Sequence, residues 1–158
     1  MRYALDDNAS KIEPSHSGQK AKCILCKGNV IGKCGEIYVW HWQHQNDRVC
    51  DPWKEHETEW HRNWKAKFPI DWQEVIIENC YEKHIADIKT ADGTVIEFQN
   101  SSISSDTIRV RENFYRDMIW VVNAITFKDN FDKRSLVKLS LRTIEREYYK
   151  DLKYLEDS

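Results

Sequence analysis

The chain lacks any apolar run that approaches the roughly 20 residues of a membrane-spanning helix. Its N-terminus also lacks the apolar stretch of a secretory signal peptide. No internal repeat and no low-complexity tract interrupts the 158 residues, of which 41% are hydrophobic and 32% charged. These features exclude a membrane-spanning or disordered chain and predict a globular, cytoplasmic protein with no membrane partner.

An excess of basic residues is also missing. The 24 Lys and Arg residues are outnumbered by 26 Asp and Glu, which gives a net charge of -2. Any nucleic-acid surface must therefore be local, because a dedicated binding domain is usually basic overall. Basic side chains cluster in three places, although a solvated surface would explain them too: Lys20, Lys22, Lys27 and Lys33; Arg62, Lys65 and Lys67; and Arg109, Arg111 and Arg116.

The length suits one domain with a substantial core and a small appendage. Residues 1–19 are predicted to be a loose lead-in, 20–50 a small metal-binding module and 51–158 the main domain. In the main domain, Asp51-Pro52 predicts the start of a helix that runs to about Phe68. The segment 134–141 could be strand or helix, and a C-terminal helix is predicted over about 142–155.

Alternating and apolar patterns predict the rest of the main domain. Two strands joined by a tight turn follow a first strand, and a helix capped by Ser104 or Ser105 precedes a buried strand. The fold class is therefore α/β, with the order helix, three strands, helix, strand. The predicted strands are 73–78, about 82–90, about 94–101 and 118–122.

Five cysteines, an odd number, suit metal binding in a reducing compartment better than disulfide bonds. Cys23-x-x-Cys26 is followed after fourteen residues by His41-x-x-His44. Two thiolates and two imidazoles make a closed tetrahedral zinc site, which leaves no place for a catalytic water. We therefore predict a structural Zn²⁺ in a ribbon-like module. Cys34 competes for one ligand position, whereas Cys50, Cys80 and His16 are predicted to be bystanders.

The two strands around Asp92-Gly93 each carry a carboxylate in an apolar run, Asp87 in the first strand and Glu97 in the second. Isolated carboxylates are costly to bury, and two that converge make a site for a hard divalent cation. A two-residue turn would send them to opposite faces. A three-residue loop with a left-handed Gly93 would pair Asp87 with Glu97. A solvated sheet face with an ion pair such as Asp87 with Lys89 is the non-functional alternative.

Asp87 followed by Glu97-x-Gln99 resembles the PD-(D/E)XK nuclease core, with Gln in place of the usual Lys. The wider pattern resembles the competence protein CoiA-like family, which is associated with DNA processing during natural transformation. It consists of Ile96-Glu97-Phe98-Gln99-Asn100-Ser101, Arg111, Tyr115, Ile119-Trp120-Val121 and the upstream Cys and His pairs, and it covers roughly residues 23–122.

The resemblance implies that Asp87 and Glu97 hold Mg²⁺ or Mn²⁺, which would polarise a phosphate and lower the pKa of an attacking water. Gln99 can orient water but brings no charge, and Lys89 could supply the missing charge. A second register is also open, with Glu78 as the first acid and Asp87-x-Lys89 as the second motif.

The resemblance extends to two helices. An acid from the preceding helix often completes the metal site of such nucleases, and Glu57, His61 and Lys65 are each four residues apart. Arg111 and Tyr115 resemble the second-helix residues that support the site and contact the phosphate backbone. Each set could instead be an ordinary surface.

The sequence therefore predicts a metal-dependent endonuclease, a hydrolase with Asp87, Glu97, Gln99, Glu57, His61 and Lys89 as catalytic residues. Lys65, Arg111 and Tyr115 are predicted to bind nucleic acid. DNA is the expected substrate, RNA is not excluded, and protein partners in a DNA-processing complex are expected. The alternative is a non-catalytic nucleic-acid-binding or adaptor protein that retains a degenerate nuclease fold.

Overall fold

The computed structural model describes residues 1–46, 49–54, 56–123 and 125. Within them the protein is mixed α/β, with two sheets and two α-helices. Residues Met1–Asn123 form one compact unit. Neither described helix is long and apolar enough to cross a membrane. The predicted C-terminal helix and the segment 134–141 lie outside the described residues.

The first sheet is built from short antiparallel strands in the order β2-β1-β3-β4-β5. Its core consists of Ala4, Cys23, Leu25, Val30 and Trp42. The prediction of a loose lead-in over residues 1–19 is wrong, because this segment contributes two of the strands. The five strands are β1 Ala4–Leu5, β2 Lys11–Ile12, β3 Lys20–Lys22, β4 Asn29–Lys33 and β5 His41–His44.

The second sheet has the order β6-β7-β8-β9, with β6 Gln73–Glu78, β7 Lys83–Lys89, β8 Val95–Gln99 and β9 Met118–Val122. The first three strands are antiparallel, and β9 is parallel to β8. A parallel neighbour requires a crossover, and α2 (Ser105–Tyr115) lies in that connection. With α1 (Glu59–Lys65) before β6, the elements follow the predicted order of helix, three strands, helix, strand.

Helix α1 begins seven residues later than the sequence indicated, at Glu59 rather than at Pro52, and its N-cap is Thr58 rather than Asp51. A reciprocal capping box joins Thr58 to His61. Asp51 does not cap the helix, because its carboxylate accepts hydrogen bonds elsewhere. Ser104 caps α2 as predicted, since its hydroxyl accepts the N–H of Thr107 at 3.1 Å.

The loop between β7 and β8 has three residues, as the functional interpretation required. Lys89 pairs with Val95, and the N–H of Thr90 donates to the carbonyl of Thr94 at 2.9 Å. Gly93 has φ +97°, in the left-handed region that favours glycine. Ile88 pairs with Ile96 in the same register, so the next residues along the two strands, Asp87 and Glu97, lie beside each other.

Aromatic packing fixes α1 on the second sheet. Trp60 and Trp64 of the helix and the following Phe68 pack on the buried Phe98 of β8. His61 and Lys65 lie one position further along the helix and are also buried. These aromatic side chains therefore pack against the core, and the same helix presents two polar side chains to the strands that carry Asp87 and Glu97.

We expect Gly93→Ala to lower the free energy of unfolding by about 1–2 kcal/mol, because alanine is strained at positive φ. A Cβ at position 93 would meet no atom within 4 Å, so the cost is conformational and not steric. Gly35→Ala is the matched control, since that glycine is equally open and has no positive φ. Urea unfolding measures both, and equal stabilities would contradict the strain.

Candidate functional site

Two sites emerge, a Cys/His cluster beside the first sheet and a carboxylate cavity beside the second. The cluster consists of Cys23, Cys26, His44 and Cys50, whose ligand atoms all lie within 4.8 Å of one another. The prediction of His41 as a ligand is wrong, and so is the prediction that Cys50 is a bystander. The donor set is three thiols and one imidazole, which could bind a metal such as zinc.

The cluster fits the dimensions of a tetrahedral zinc site. Zinc–sulfur bonds at a tetrahedral angle separate two sulfur atoms by about 3.8 Å and a sulfur from an imidazole nitrogen by about 3.6 Å. The Sγ atoms of Cys23 and Cys50 are 3.7 Å apart, and Cys26 Sγ is 3.3 Å from His44 Nε2. These side chains would hold the ion with little rearrangement.

Strand geometry explains why His41 is excluded. His41 and His44 are the first and last residues of β5, so an odd number of steps separates them and their side chains leave opposite faces. His41 instead contacts the carbonyl of Val39 through Nδ1 at 2.9 Å. Cys50 lies beyond the strand, where no periodic pattern marked it as a ligand.

At the second site, the two predicted carboxylates lie side by side and bind the backbone of the opposite strand. The N–H of Asp87 donates to Glu97 Oε1 at 3.2 Å, and the N–H of Phe98 donates to Asp87 Oδ2 at 3.0 Å. Each acid therefore holds the strand that carries the other.

Lys65 brings a positive charge into the same place. Its ammonium lies 2.8 Å from Asp87 Oδ1, 3.6 Å from Glu57 Oε1 and 3.5 Å from Glu74 Oε1. The lysine side chain is 3% exposed, and the three carboxylates raise its pKa against the opposing effect of burial. Lys65 is therefore a buried cation shared among carboxylates from three segments of the chain.

Glu57 was expected on the helix before the first strand, but it lies one residue before the N-cap of α1. Its side chain is buried, and neither of its oxygens has a hydrogen-bond partner among the described residues. A buried carboxylate without donors is costly, so this acid has unused capacity for a cation.

His61 binds a backbone carbonyl of β8 at this site. Its Nδ1 accepts the N–H of Thr58 at 3.2 Å, so the neutral ring carries its proton on Nε2, which donates to the carbonyl of Phe98 at 3.1 Å. Burial lowers its pKa and keeps the ring neutral, although Asp87 acts in the other direction.

Glu97 is paired with Arg111, whose Nη1 lies 3.4 Å from Glu97 Oε2. Burial, and then the charge of Asp87, raise the pKa of Glu97 to about 8, while Arg111 opposes the rise. Two adjacent acids with too little neighbouring positive charge behave in this way. The pair therefore favours either a proton or an additional cation.

A small cavity of about 30 Å³ lies between these groups. Among the described residues, its lining includes neither Gln99, Lys89 nor Tyr115. The side chains that line it are Trp53, Lys54, Glu57, His61, Lys65, Ile85, Asp87, Glu97, Phe98 and Arg111. The structure thus brings together six of the predicted site residues at the cavity: Asp87, Glu97, Glu57, His61, Lys65 and Arg111.

Three of the predicted site residues, Gln99, Lys89 and Tyr115, lie outside the lining of the cavity. Gln99 is 1% exposed, and its amide donates to the carbonyl of Ser101 at 2.9 Å. Lys89 is exposed at the end of β7. Lys65, Arg111 and Tyr115 are all buried, so none offers a surface for a phosphate backbone to contact directly. Their assignment to nucleic acid stays a prediction.

Glu74, which was not among the predicted site residues, is a buried acid with φ +46°. Its carboxylate accepts the backbone N–H groups of Arg2 and Tyr3, each at 3.0 Å, and the ammonium of Lys54 at 3.1 Å. Lys54 and Lys65 hold the pKa of Glu74 well below its usual value despite burial. Only the unusual acid at the start of an apolar strand could have marked it.

The two sites differ in how closely they match a metal site. Among the residues the structure describes, the Cys/His cluster alone brings three or more Cys, His, Asp or Glu ligand atoms within 4.8 Å of one another. The cavity acids are more widely spaced. No protein-family model matches the chain, and neither does any curated protein or solved structure.

Protein purified without added zinc should contain about one equivalent of the metal. We expect Cys50→Ser and His44→Ala to lose it, because each removes a ligand. His41→Ala and Cys34→Ser should keep it and serve as controls. Metal analysis decides the ligand set: retention by Cys50→Ser together with loss in His41→Ala would restore the ligands predicted from the sequence.

Lys65→Met should lower the free energy of unfolding by about 3–5 kcal/mol, because it leaves buried carboxylates without their cation. Added Mn²⁺ should recover part of that loss if the cavity accepts a divalent ion. Lys67→Met, which alters an exposed lysine on the same segment, is the control. Urea unfolding with and without Mn²⁺ measures both effects, and a Lys65→Met protein as stable as the parent would contradict the assignment.

Proposed function

We propose that this protein is a divalent-metal-dependent nuclease of the PD-(D/E)XK type and a CoiA-like protein, with DNA as its substrate. The observation that carries the proposal is the carboxylate pair. Asp87 and Glu97 lie side by side on adjoining strands, around a buried polar cavity that Lys65 and Glu57 also line. Buried acids at such density are typical of a functional site and are costly for stability alone.

The order of the elements supports the proposal. The three antiparallel strands β6, β7 and β8, the crossover helix α2 and the parallel strand β9 follow the order expected from the resemblance. The acids are in the two central strands, and α1 supplies His61 and Lys65 from one side. Fold alone does not establish an activity, because one fold supports many functions, so the chemistry of the cavity carries more weight.

The donor set suits a hard cation, because Asp87, Glu97 and Glu57 offer carboxylate oxygens, and no group in the described part of the chain donates a hydrogen bond to Glu57. Asp87 and Glu97 would hold Mg²⁺ or Mn²⁺. When bound, such an ion polarises a phosphodiester and lowers the pKa of a coordinated water.

The protein's own groups have separate tasks in this proposal. His61 fixes the carbonyl of Phe98, and Arg111 orients Glu97 through its guanidinium. Lys65 brings the positive charge that Gln99 cannot provide, from a helix and not from the strand. Gln99 then contributes to structure through its bond to Ser101.

DNA would be bound outside the cavity by exposed cations, because Lys65 and Arg111 inside it are buried. Exposed candidates are Lys20, Lys22, Lys27, Lys33, Lys67, Arg109 and Arg116. Contacts of this kind go mostly to phosphates, so binding should be sensitive to salt and only weakly sequence-specific. RNA as a substrate, protein partners and a cytoplasmic location belong to the same proposal.

One observation favours the second candidate, a non-catalytic binding or adaptor protein. The Lys65 ammonium already lies 2.8 Å from Asp87, where it neutralises the acid that a divalent ion would need. In such a protein the buried ion pair would replace the metal. Binding of Mn²⁺ at the cavity distinguishes the two candidates.

Glu97→Gln should reduce cleavage of DNA with Mg²⁺ or Mn²⁺ to background, because one acid alone holds the ion poorly. The amide keeps the shape of the side chain, and circular dichroism checks the fold. Glu59→Gln, at an exposed position of α1, is the control and should cleave like the parent.

The assay should offer single-stranded, duplex and branched DNA. If the parent cleaves none of them with either metal, or if Glu97→Gln cleaves as well as the parent, the nuclease proposal fails and the binding protein takes its place.

A further inference from the structure

A short segment joins the Cys/His cluster to the carboxylate cavity. We call residues 50–57 the connecting segment; its described residues form neither helix nor strand. Its first residue, Cys50, belongs to the cluster, and its last, Glu57, lines the cavity. Contacts at both ends, not secondary structure, therefore decide where this segment lies.

Asp51 anchors the segment to β7. Its carboxylate is 4% exposed, and its Oδ2 accepts the N–H of Ile85 at 2.8 Å. Its Oδ1 contacts His84 Nδ1 at 2.9 Å and the N–H of Trp53 at 3.1 Å. Ile85 and Asp87 are two residues apart, so their N–H groups lie on the same edge of the strand, and both donate to carboxylates.

Trp53 continues the connection to the other acid. Its ring stacks on His84, with ring centroids 3.3 Å apart, and its carbonyl accepts a hydrogen bond from Arg111 Nη2 at 2.7 Å. The same guanidinium reaches Glu97 through Nη1. The segment thus contacts β7 two residues before Asp87 and also holds the partner of Glu97.

Lys54 forms a third connection. Its ammonium lies 3.1 Å from Glu74 Oε1, and that acid also contacts Lys65, the buried partner of Asp87. The segment therefore has three contacts near the acid pair. Asp51 binds β7, which carries Asp87; Trp53 binds Arg111, the partner of Glu97; and Lys54 binds Glu74, which contacts Lys65.

We infer that the Cys/His cluster positions the carboxylate cavity through this segment, with Cys50 and Asp51 as positioning residues. A metal bound to Cys50 would fix one end of the segment. The adjacent Asp51 is then held in place, and its hydrogen bond to the Ile85 N–H fixes β7. Without a metal in the cluster, the segment is less well ordered, because metal binding supplies the free energy that orders such sites. The cluster then controls the acids of the proposed nuclease without taking part in its chemistry.

The decisive variant is Asp51→Ala, which removes the acceptor of the Ile85 N–H and leaves all four cluster ligands in place. We expect unchanged zinc content, because the ligands are untouched. Exchange of the Ile85 amide hydrogen, followed by NMR, should be faster by about tenfold, the effect of losing one buried hydrogen bond. Exchange at Ile77 of β6 should stay at the parent rate, which shows that the effect is local. Asp7→Ala, at an exposed acid, is the control.

Two further measurements extend the test. Removal of zinc from the parent by a chelator should accelerate exchange at Ile85 and Asp87 in the same way. Mn²⁺ binding, followed by electron paramagnetic resonance, should weaken by about tenfold in Asp51→Ala, because β7 is less well held. If zinc-free protein unfolds throughout, exchange at Ile77 rises equally, and the zinc-loaded Asp51→Ala variant decides alone.

The inference is overturned if Asp51→Ala with zinc bound exchanges the Ile85 amide at the parent rate. It is also overturned if zinc removal changes neither Ile85 nor Asp87 in protein that stays folded. Only the Mn²⁺ measurement rests on the proposed function. A protein that binds no Mn²⁺ and cleaves no DNA would defeat that function, while the amide exchange would still decide the coupling.

Discussion

The buried ammonium of Lys65 is the interaction on which the second half of the protein depends. It joins α1 to β7 through Asp87, to β6 through Glu74 and to the connecting segment through Glu57. A charge this deeply buried is tolerable only when its partners surround it. The same requirement brings these three acids, which are far apart in the sequence, close to one ammonium group. The placement of Lys65 therefore also forms the cavity.

Features that depend on neighbours in sequence were predictable. The order of the elements along the chain and the cap of α2 followed from periodicity and capping, and the three-residue loop at Gly93 was the alternative that pairs the two acids. The placement of Asp87 beside Glu97 followed from the same loop, because strand alternation transmits a local turn along the whole hairpin. One correct inference about a glycine therefore placed the two strand acids of the cavity side by side.

Features that depend on distant contacts were not predictable. Cys50 joins Cys23 across 27 positions of the sequence, and Glu74 binds the backbone more than 70 positions away. Asp51-Pro52 has the chemistry of a helix start, yet its carboxylate is used by β7 and the helix begins at Glu59. A side chain that satisfies a distant backbone group leaves no periodic pattern in the sequence. The predicted helix start at Asp51-Pro52 was therefore wrong, because the tertiary contact outweighed the local capping preference.

The bond between Glu74 and the first strand region has a consequence for how the protein can be dissected. The backbone N–H groups of Arg2 and Tyr3 are donors to a carboxylate that is 1% exposed, which also neutralises Lys54 and Lys65. A fragment cut at residue 50 would keep the whole second sheet but expose this acid to water and remove two of its donors. The excised domain would therefore be a poor surrogate for the intact chain, and its charge balance around Lys65 would differ even if every strand formed.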